Sequence, residues 1–259
     1  MPRWPVAMVT GASSGIGRAI AVRLAADGTH LVLVARRAEL LEALAEELHM
    51  AHGVDVEVLV ADLIDPAGLA SVEDRLRREP AVDLLVNNAG VGAQGRFAEI
   101  PLDWQDGQVR LNVLAPVRLT HAALQGMLAR GRGGVLNVSS IAGTQPLPNV
   151  ATYSATKAYL SSFSHSLHEE VRRSGIAVTA LLPGFTRTGF HEVAGANRTV
   201  VPAGAWMSAE AVAAAGLRAV ARGRAQCVPG LGYRILSALS RLTPWSVTRR
   251  VVGAIMARG

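Results

Sequence analysis

Short, continuously apolar runs recur along the 259-residue chain and alternate with longer helical patterns. Such runs are typical of strands buried on both faces, as in a parallel sheet. The predicted strands are 6–10, 31–35, 56–61, 83–88, 134–140, 177–183 and 225–230. The predicted helices are 15–27, 37–52, 66–78, 102–130 and 152–174, with another that begins near Ser208. This alternation predicts one α/β domain, a doubly wound parallel sheet of about seven strands flanked by helices.

The bulk composition narrows the class of protein. Half of the residues are hydrophobic and 18% are charged, so the chain can fill a core. No apolar run approaches the roughly 18 residues of a membrane-spanning helix. A strand-like run begins at once at the N-terminus, which leaves no room for a signal peptide. Cys227 is the only cysteine, which excludes an internal disulfide. We therefore expect a cytoplasmic protein.

Charge is unevenly distributed along the chain. The net charge is +6, yet the 49 residues after Glu210 hold eight arginines and no carboxylate side chain. Residues 1–210 therefore have a net charge of −2, and no basic and aromatic pattern indicates nucleic-acid binding. We assign residues 1–230 to the catalytic domain and 231–259 to a basic C-terminal extension. Two amphipathic helices are predicted there, at 232–242 and 244–256.

The extension leaves two interpretations open. Its apolar helix face packs on its own domain or on a sister subunit, or its basic helices make a weak peripheral contact with an anionic membrane. A second irregular region, 185–207, interrupts the helical periodicity with Gly, Thr, Asn and Pro. A loop of that length inside a compact domain is usually functional, so we predict a substrate lid.

The stretch "TGASSGIG" (10–17) follows a predicted strand and opens a predicted helix, the context of a dinucleotide-binding turn. Gly11 permits the tight turn, and Gly15 and Gly17 allow a close approach of the backbone to a pyrophosphate. Some twenty residues later such turns usually have an acidic residue that binds the adenosine ribose. Here Ala35 stands in that place and is followed by Arg36 and Arg37.

The two arginines favour NADP over NAD. A guanidinium at Arg36 can bind a 2′-phosphate through two hydrogen bonds, and the missing carboxylate removes a repulsion against it. The alternative is that Arg36 and Arg37 merely begin a solvated helix, although helix starts prefer acids to bases.

Tyr153 and Lys157 are four residues apart on a predicted helix and therefore share a face. Lys157 is the only lysine among 26 basic residues. Lowering a tyrosine pKa by about three units requires ~4 kcal/mol. A cation about 4 Å away supplies roughly that amount at an effective dielectric of 20. The pair thus predicts a general acid/base whose pKa is lowered by the lysine together with the positive nicotinamide ring of an oxidised cofactor.

Six motifs in order between residues 10 and 188 resemble the short-chain dehydrogenase/reductase family: the glycine turn, "ADL", "NNAG", "NVSSIAG", "YSATK" and "PGFTRT". The resemblance implies a single Rossmann-type sheet and a catalytic set of Asn112, Ser140, Tyr153 and Lys157. Ser140 would hold the substrate oxygen, Tyr153 would exchange its proton, and the backbone at Asn112 would bind a water that relays protons to Lys157. The asparagines of "NNAG" also suit a structural role, tying neighbouring strands together.

The resemblance also implies the residues that bind NADP(H). Asp62 would receive the adenine amino group, and Thr188 matches the threonine that binds the carboxamide. The full cofactor set is Gly11, Ser13, Ser14, Gly15, Ile16, Gly17, Arg36, Arg37, Asp62, Leu63, Asn88, Ala89, Gly90, Tyr153, Lys157, Pro183, Gly184, Thr186 and Thr188.

The predicted function is reduction of a ketone or aldehyde by NADPH. Leu147, Val150, Phe190, Val193 and Trp206 make the substrate pocket apolar, which favours a hydrophobic or acyl-like carbonyl compound. The alternatives are NADP-dependent oxidation of a secondary alcohol, and a non-catalytic NADP(H)-binding sensor or scaffold. The family resemblance implies a homo-oligomer, a dimer or tetramer paired through the helices near 102–130 and 152–174. Two histidine pairs, His49/His52 and His165/His168, lack an evident third ligand, so we expect no metal site.

Overall fold

A computed structural model describes residues 3–190 and 203–242 of the chain. The strands are β1 Val6–Thr10, β2 His30–Ala35, β3 Val56–Val60, β4 Leu84–Asn87, β5 Gly133–Val138, β6 Ile176–Leu181 and β7 Gln226–Cys227. The α-helices are α1 Gly15–Ala26, α2 Ala38–His52, α3 Pro66–Leu76, α4 Leu102–Val109, α5 Ala115–Arg130, α6 Ala151–Val171, α7 Ala209–Ala221 and α8 Leu231–Leu242.

The seven strands form one sheet in the order β3-β2-β1-β4-β5-β6-β7, and every pair is parallel. The apolar residues of α1, α2 and α7 pack against one face, and those of α3 and α5 against the other. The direction of strand order reverses between β1 and β4. Ligands of open parallel sheets bind at such a switch point, beyond the carboxyl ends of the strands. The predicted doubly wound, Rossmann-type fold is confirmed.

Two predicted elements differ from the structure. The strand expected at 225–230 is only two residues long, Gln226–Cys227. The helix expected over 102–130 is interrupted by a widened π turn, Arg110–Leu114, in which the N–H of Ala115 donates to the carbonyl oxygen of Arg110. Pro116 explains the interruption, because it lacks the N–H that would bond the carbonyl oxygen of Asn112 in a regular α-helix.

The C-terminal helix α8 packs against a short turn, Ile141–Thr144, that follows β5. This helix confirms the first of the two amphipathic segments expected after residue 230, whereas the second, at 244–256, lies outside the described residues. Most of the predicted lid, 191–202, also lies outside them. None of the described helices combines the length and hydropathy that a membrane-spanning segment requires.

Candidate active site

The glycines of the turn after β1 stand where a side chain would clash with neighbouring atoms. Gly11 has a φ of +66°, and a Cβ there would lie 2.8 Å from Nδ2 of Asn88. A Cβ at Gly17 would overlap the carbonyl oxygen of Gly11. Asn88 donates from Nδ2 to the carbonyl oxygens of Thr10 (2.9 Å) and Gly11 (3.2 Å). The structural role expected of this asparagine, a tie between neighbouring strands β4 and β1, is therefore confirmed.

The helix that follows this turn offers donors for an anion. Helix α1 begins at Gly15, has no acidic residue in its first turn, and its N-cap Ser14 makes no side-chain capping hydrogen bond. The first N–H groups of any α-helix have no partner inside the helix. Together with the partial positive charge of the helix terminus, those of Gly15, Ile16 and Gly17 suit a phosphate.

Both arginines after β2 lie beside the residues expected to bind the cofactor. Arg37 donates from Nη2 to Oγ of Ser13 (2.8 Å) and Oγ of Ser14 (3.0 Å). Arg36 Nη1 lies 3.7 Å from Oδ2 of Asp62, and both of these side chains are exposed. Arg37, rather than Arg36, thus contacts the glycine turn, while Arg36 faces the expected adenine side.

The other expected cofactor residues line the same edge of the sheet. Asp62 accepts a hydrogen bond from the N–H of Ile64 (2.9 Å), and the side chain of Leu63 is buried in the core. Ala89 donates its N–H to Oγ1 of Thr10 (3.0 Å). A Cβ at Gly90 would lie 3.3 Å from Nζ of Lys157, so this glycine borders the lysine predicted to be catalytic.

Asn112 sits in the π turn and is fully buried. Its side chain accepts from the N–H of Val91 (3.0 Å) and donates to the carbonyl oxygen of the same residue (2.8 Å). It also donates to Oγ1 of Thr156 on α6 (3.1 Å). The amide of Asn112 therefore joins the segment after β4 to the helix that holds Tyr153 and Lys157. The π turn is the local backbone structure that orients this side chain.

Ser140, Tyr153 and Lys157 converge at the carboxyl end of β5. Ser140 hydrogen-bonds Tyr153, and its Oγ accepts from the N–H of Ala142 (3.1 Å). Lys157 is buried, and its Nζ donates to the carbonyl oxygen of Val138 (2.9 Å) and lies 5.8 Å from the centre of the Tyr153 ring. The tyrosine ring packs against Phe190, with ring centres 5.5 Å apart.

Without a bound cofactor, the protein does not lower the pKa of Tyr153. Burial raises the pKa of Tyr153 to about 12, and the hydrogen bond with Ser140 only partly offsets it. Burial also lowers the pKa of Lys157 to about 8. The estimate from sequence assumed a cation about 4 Å from the phenol and neglected the desolvation of both groups. In the structure the ammonium instead bonds a backbone carbonyl.

The segment after β6, residues 183–188, forms a further side of the site. The carbonyl oxygen of Pro183 accepts from the N–H of Ile141 (3.0 Å), which fastens the segment to the turn after Ser140. Thr186 is buried and donates from Oγ1 to the carbonyl oxygen of Gly184 (3.0 Å). Thr188 faces the glycine turn, because a Cβ at Gly15 would lie 3.0 Å from its Cγ2.

Sequence reasoning missed Tyr233 on α8. Its hydroxyl accepts from the N–H of Phe185 (3.1 Å) and donates to the carbonyl oxygen of Ala205 (2.7 Å), and its ring covers Gly184. One side chain thus holds both ends of the region predicted to be the lid. No sequence motif marks it, although a tyrosine in an otherwise aliphatic and basic helix was the available signal.

Of the apolar pocket residues expected from sequence, Phe190 packs on Tyr153 and Trp206 packs on Phe185, with ring centres 5.5 Å apart in each pair. Val193 lies outside the described residues. Within residues 3–190 and 203–242, no group of three His, Cys, Asp or Glu side chains is placed to hold a metal ion.

The part of the chain that forms the sheet and the site is similar to known proteins. A family model described as short chain dehydrogenase matches residues 5–199. Over 192 residues the chain is 42% identical to granaticin polyketide synthase putative ketoacyl reductase 1 of Streptomyces violaceoruber, covering 73% of this chain and 70% of that protein. It is 36% identical over 194 residues to a very-long-chain 3-oxoacyl-CoA reductase of Anas platyrhynchos, covering 72% of this chain. The match spans 61% of that relative, less than two thirds of its length.

Among solved structures, the chain is similar to a short-chain dehydrogenase from Sphingobium yanoikuyae in complex with NADPH. The two share 39% sequence identity with a TM-score of 0.84, and the match covers 88% of each chain.

Proposed function

Because the chain belongs to the short-chain dehydrogenase/reductase family, an oxidoreductase family, we propose that it reduces a ketone or aldehyde to an alcohol with NADPH. The observation that supports this most directly is the hydrogen-bonded Ser140–Tyr153 pair with the buried Lys157 beside it. A non-catalytic sensor or scaffold needs no such set. The complete arrangement therefore favours an enzyme.

NADP(H) would bind beyond the carboxyl ends of the central strands β1 and β4. The first turn of α1 would bind the pyrophosphate, and Arg37, held by Ser13 and Ser14, would bind the 2′-phosphate together with Arg36. The segment of Gly184, Thr186 and Thr188 would border the nicotinamide. When bound, the reduced cofactor supplies a hydride to the carbonyl carbon.

The protein's own residues supply the proton and the orientation. A pKa of about 12 keeps Tyr153 protonated at neutral pH, so its hydroxyl can donate a proton to the carbonyl oxygen during reduction. Ser140 would hold the same oxygen. A cationic Lys157 stabilises the phenolate left behind, and its pKa near 8 allows it to be reprotonated at physiological pH. The reverse oxidation uses the same groups with the proton moving the other way.

The substrate class follows from the side chains around Tyr153. Phe190 covers one side of the ring, and Phe185 and Trp206 form an aromatic pair on the adjoining segment. Aromatic side chains offer apolar surface to a ligand, so these rings favour a substrate with an apolar chain or ring beside the carbonyl group. Relatives named as ketoacyl and 3-oxoacyl-CoA reductases support an acyl-like ketone.

A homo-oligomer is part of the same proposal. The region from α4 to α5 exposes four large apolar side chains, Trp104, Val109, Leu114 and Leu128, which suit a subunit contact. A second copy would cover them through a two-fold contact.

Loss of reduced-nicotinamide absorbance, followed with a panel of apolar ketones, tests the proposal with NADPH and NADH side by side. The wild type should turn over with NADPH, and Tyr153→Phe should lose activity by at least about 10³-fold while still binding NADPH. Tyr159→Phe, on the exposed face of the same helix, is the matched control and should retain full activity. Full turnover by Tyr153→Phe would refute the mechanism.

A further inference from the structure

Helix α8 turns its polar side toward the protein and its apolar side toward solvent, the reverse of a helix that packs on a core. Its protein-facing side holds Tyr233 and the buried Ser237. Its opposite side exposes four aliphatic residues, here called the apolar row: Leu231 (70% exposed), Ile235 (53%), Leu236 (55%) and Leu239 (56%). In a helix that packs on its own domain, the apolar side normally faces inward. The helix therefore attaches to the protein through polar contacts and leaves its apolar side outside.

A cluster of cations lies beside this helix. A cavity of about 460 Å³ between the end of α7, β7 and α8 is lined by four arginines, here called the arginine cluster: Arg218, Arg222, Arg224 and Arg234. Within the described part of the chain, no carboxylate lies within ion-pair distance of any of them. The sequence after Glu210 contains no Asp or Glu at all. Guanidinium groups brought together without counter-charges repel one another, so their site favours an external anion.

We propose that α8 docks on an anionic membrane surface, with the apolar row in the acyl region and the arginine cluster among the headgroups. An amphipathic helix in the interface plane has this combination of an apolar stripe and flanking basic residues. Each basic residue near such a surface adds about a fivefold gain in binding at moderate ionic strength. No spanning segment is required.

Charge argues against the other possible occupants of the apolar row. A two-fold contact between two copies of the chain through α8 would bring two identical arginine clusters together. Residues 243–259 of this chain contain three more arginines and no carboxylate side chain, so covering the apolar row with them would add positive charge beside the cluster. A soluble phosphate compound would pair with the arginines but would leave the apolar row in water. An anionic lipid surface satisfies both features at once.

Docking would also orient the substrate site, a consequence that rests on the proposed function. The side of α8 opposite the apolar row holds Phe185 and Ala205 through Tyr233. Phe185 and Ala205 would then lie within about one helix diameter, roughly 10 Å, of the lipid surface, where an apolar ketone concentrates. Binding to vesicles does not depend on turnover, so failure of the docking proposal and failure of the proposed function give different results.

The first measurement is co-sedimentation of the full chain, loaded with NADPH, with two kinds of vesicle. One is pure phosphatidylcholine, and the other contains roughly 30% phosphatidylserine. We expect the protein to sediment with the anionic vesicles and to remain in solution with the neutral ones. Raising the salt to about 0.5 M should reverse the binding, since the Debye length then falls well below 10 Å.

Ile235→Asp places a charge in the apolar row and should weaken vesicle binding by at least about tenfold. Met50→Asp is the matched control, because Met50 is 79% exposed on α2 and the charge change is identical. It should change binding less than about twofold. Both positions are on the surface, so unchanged NADPH affinity and light-scattering mass will show that each variant is folded.

Four outcomes would overturn the proposal. The protein fails to sediment with either vesicle, or it binds both equally well. The two variants lose binding to the same extent, in which case only net charge matters. Finally, Ile235→Asp halves the mass in solution and leaves sedimentation unchanged, in which case the apolar row is an interface between two copies.

Discussion

Helices α2 and α8 are both amphipathic, yet they present opposite sides to the protein. Helix α2 buries Leu41, Leu44 and Leu48 against the sheet and exposes its glutamates. Helix α8 exposes its apolar row and buries Ser237. An amphipathic pattern therefore establishes that a helix has two sides, but the neighbouring surface decides which side faces inward. Helix α2 meets the apolar face of a sheet, whereas α8 meets backbone groups near Gly184 that Tyr233 satisfies.

The arginines follow the same division. In the main body, Arg18 pairs with Glu47 and Arg75 with Glu57, at 2.6 and 2.7 Å. The arginine cluster beside α8 has no carboxylate partner among the described residues. Carboxylates thus neutralise several arginines of the body, whereas the arginine cluster has no such partner among the described residues and is available to an external polyanion.

The largest expected difference between the two helices is in stability. Leu48→Ala on α2 removes a fully buried side chain and should lower the free energy of unfolding by about 2 to 5 kcal/mol. Leu236→Ala on α8 removes an exposed one and should change it by less than about 0.5 kcal/mol. Urea unfolding of both variants measures the difference. Equal losses would mean that the apolar row is covered in solution.

The second prediction separates the arginines by role. Arg36→Asp puts a carboxylate beside the predicted 2′-phosphate site and should weaken NADPH binding about 30-fold, or ~2 kcal/mol, with little effect on NADH. Arg234→Asp makes the same charge change in the arginine cluster and should leave both affinities unaltered. Fluorescence titration with each cofactor measures this. A comparable loss of NADPH and NADH for Arg36→Asp would refute the NADP assignment.

The third prediction uses pH to distinguish a buried cation from exposed ones. The pKa of Lys157 is lowered to about 8, so above pH 8 the folded protein releases this proton while the unfolded chain keeps it until about pH 10.5. Where the unfolded state binds more protons, stability rises with pH. The contribution of Lys157 should therefore increase by about 1 kcal/mol between pH 8 and 9, because the two states differ by about 0.7 bound proton on average over that range.

The measurement is urea unfolding of the cofactor-free protein at several pH values, with Lys157→Met as the reference. The rise should vanish in that variant and persist in Arg234→Gln, whose guanidinium is exposed. A parallel pH dependence in wild type and Lys157→Met would show that the ammonium is hydrated in solution.

The smallest expected effect tests the polar attachment of α8. Tyr233→Phe removes two hydrogen bonds that position the ends of the predicted lid, and should raise the substrate KM about fivefold, or ~1 kcal/mol. The kcat should change less, because the hydroxyl does not contact the reacting atoms. Tyr159→Phe again serves as the control. A fall in kcat without a change in KM would contradict a positioning role for Tyr233.

Most of the fold could be predicted from sequence because parallel strands are buried on both faces. Strand β1 has the predicted bounds, 6–10, and the other long strands deviate by one or two residues. The predicted range of β7, 225–230, is too long, because "AQCVPG" continues with apolar residues beyond the two that pair with β6. The π turn was missed although Pro116 stood inside the predicted helix 102–130, and a proline there was sufficient reason to expect an interruption.

The site could be predicted as a set of residues but not as a set of contacts. The motifs gave Ser140, Tyr153 and Lys157, and the structure brings all three together. Their pKa values depend on desolvation, which sequence spacing does not contain. The contact of Arg37 rather than Arg36 with the glycine turn depends on how α2 begins, and helix starts are uncertain by a residue or two.

The π turn has a genetic consequence. A π turn holds one residue more than the α-helical turn it replaces, and one residue rotates everything after it by about 100°. Deleting a single codon beside Asn112 would rotate that residue by about 100° relative to the rest of the helix and turn its amide away from Val91 and Thr156, while Pro116 would still lack the N–H of a regular helix. The bridge between the segment after β4 and helix α6 therefore depends on the number of residues in this turn as well as on their identity. A frame-preserving deletion that spares Asn112 can break this bridge while leaving all four predicted catalytic residues encoded.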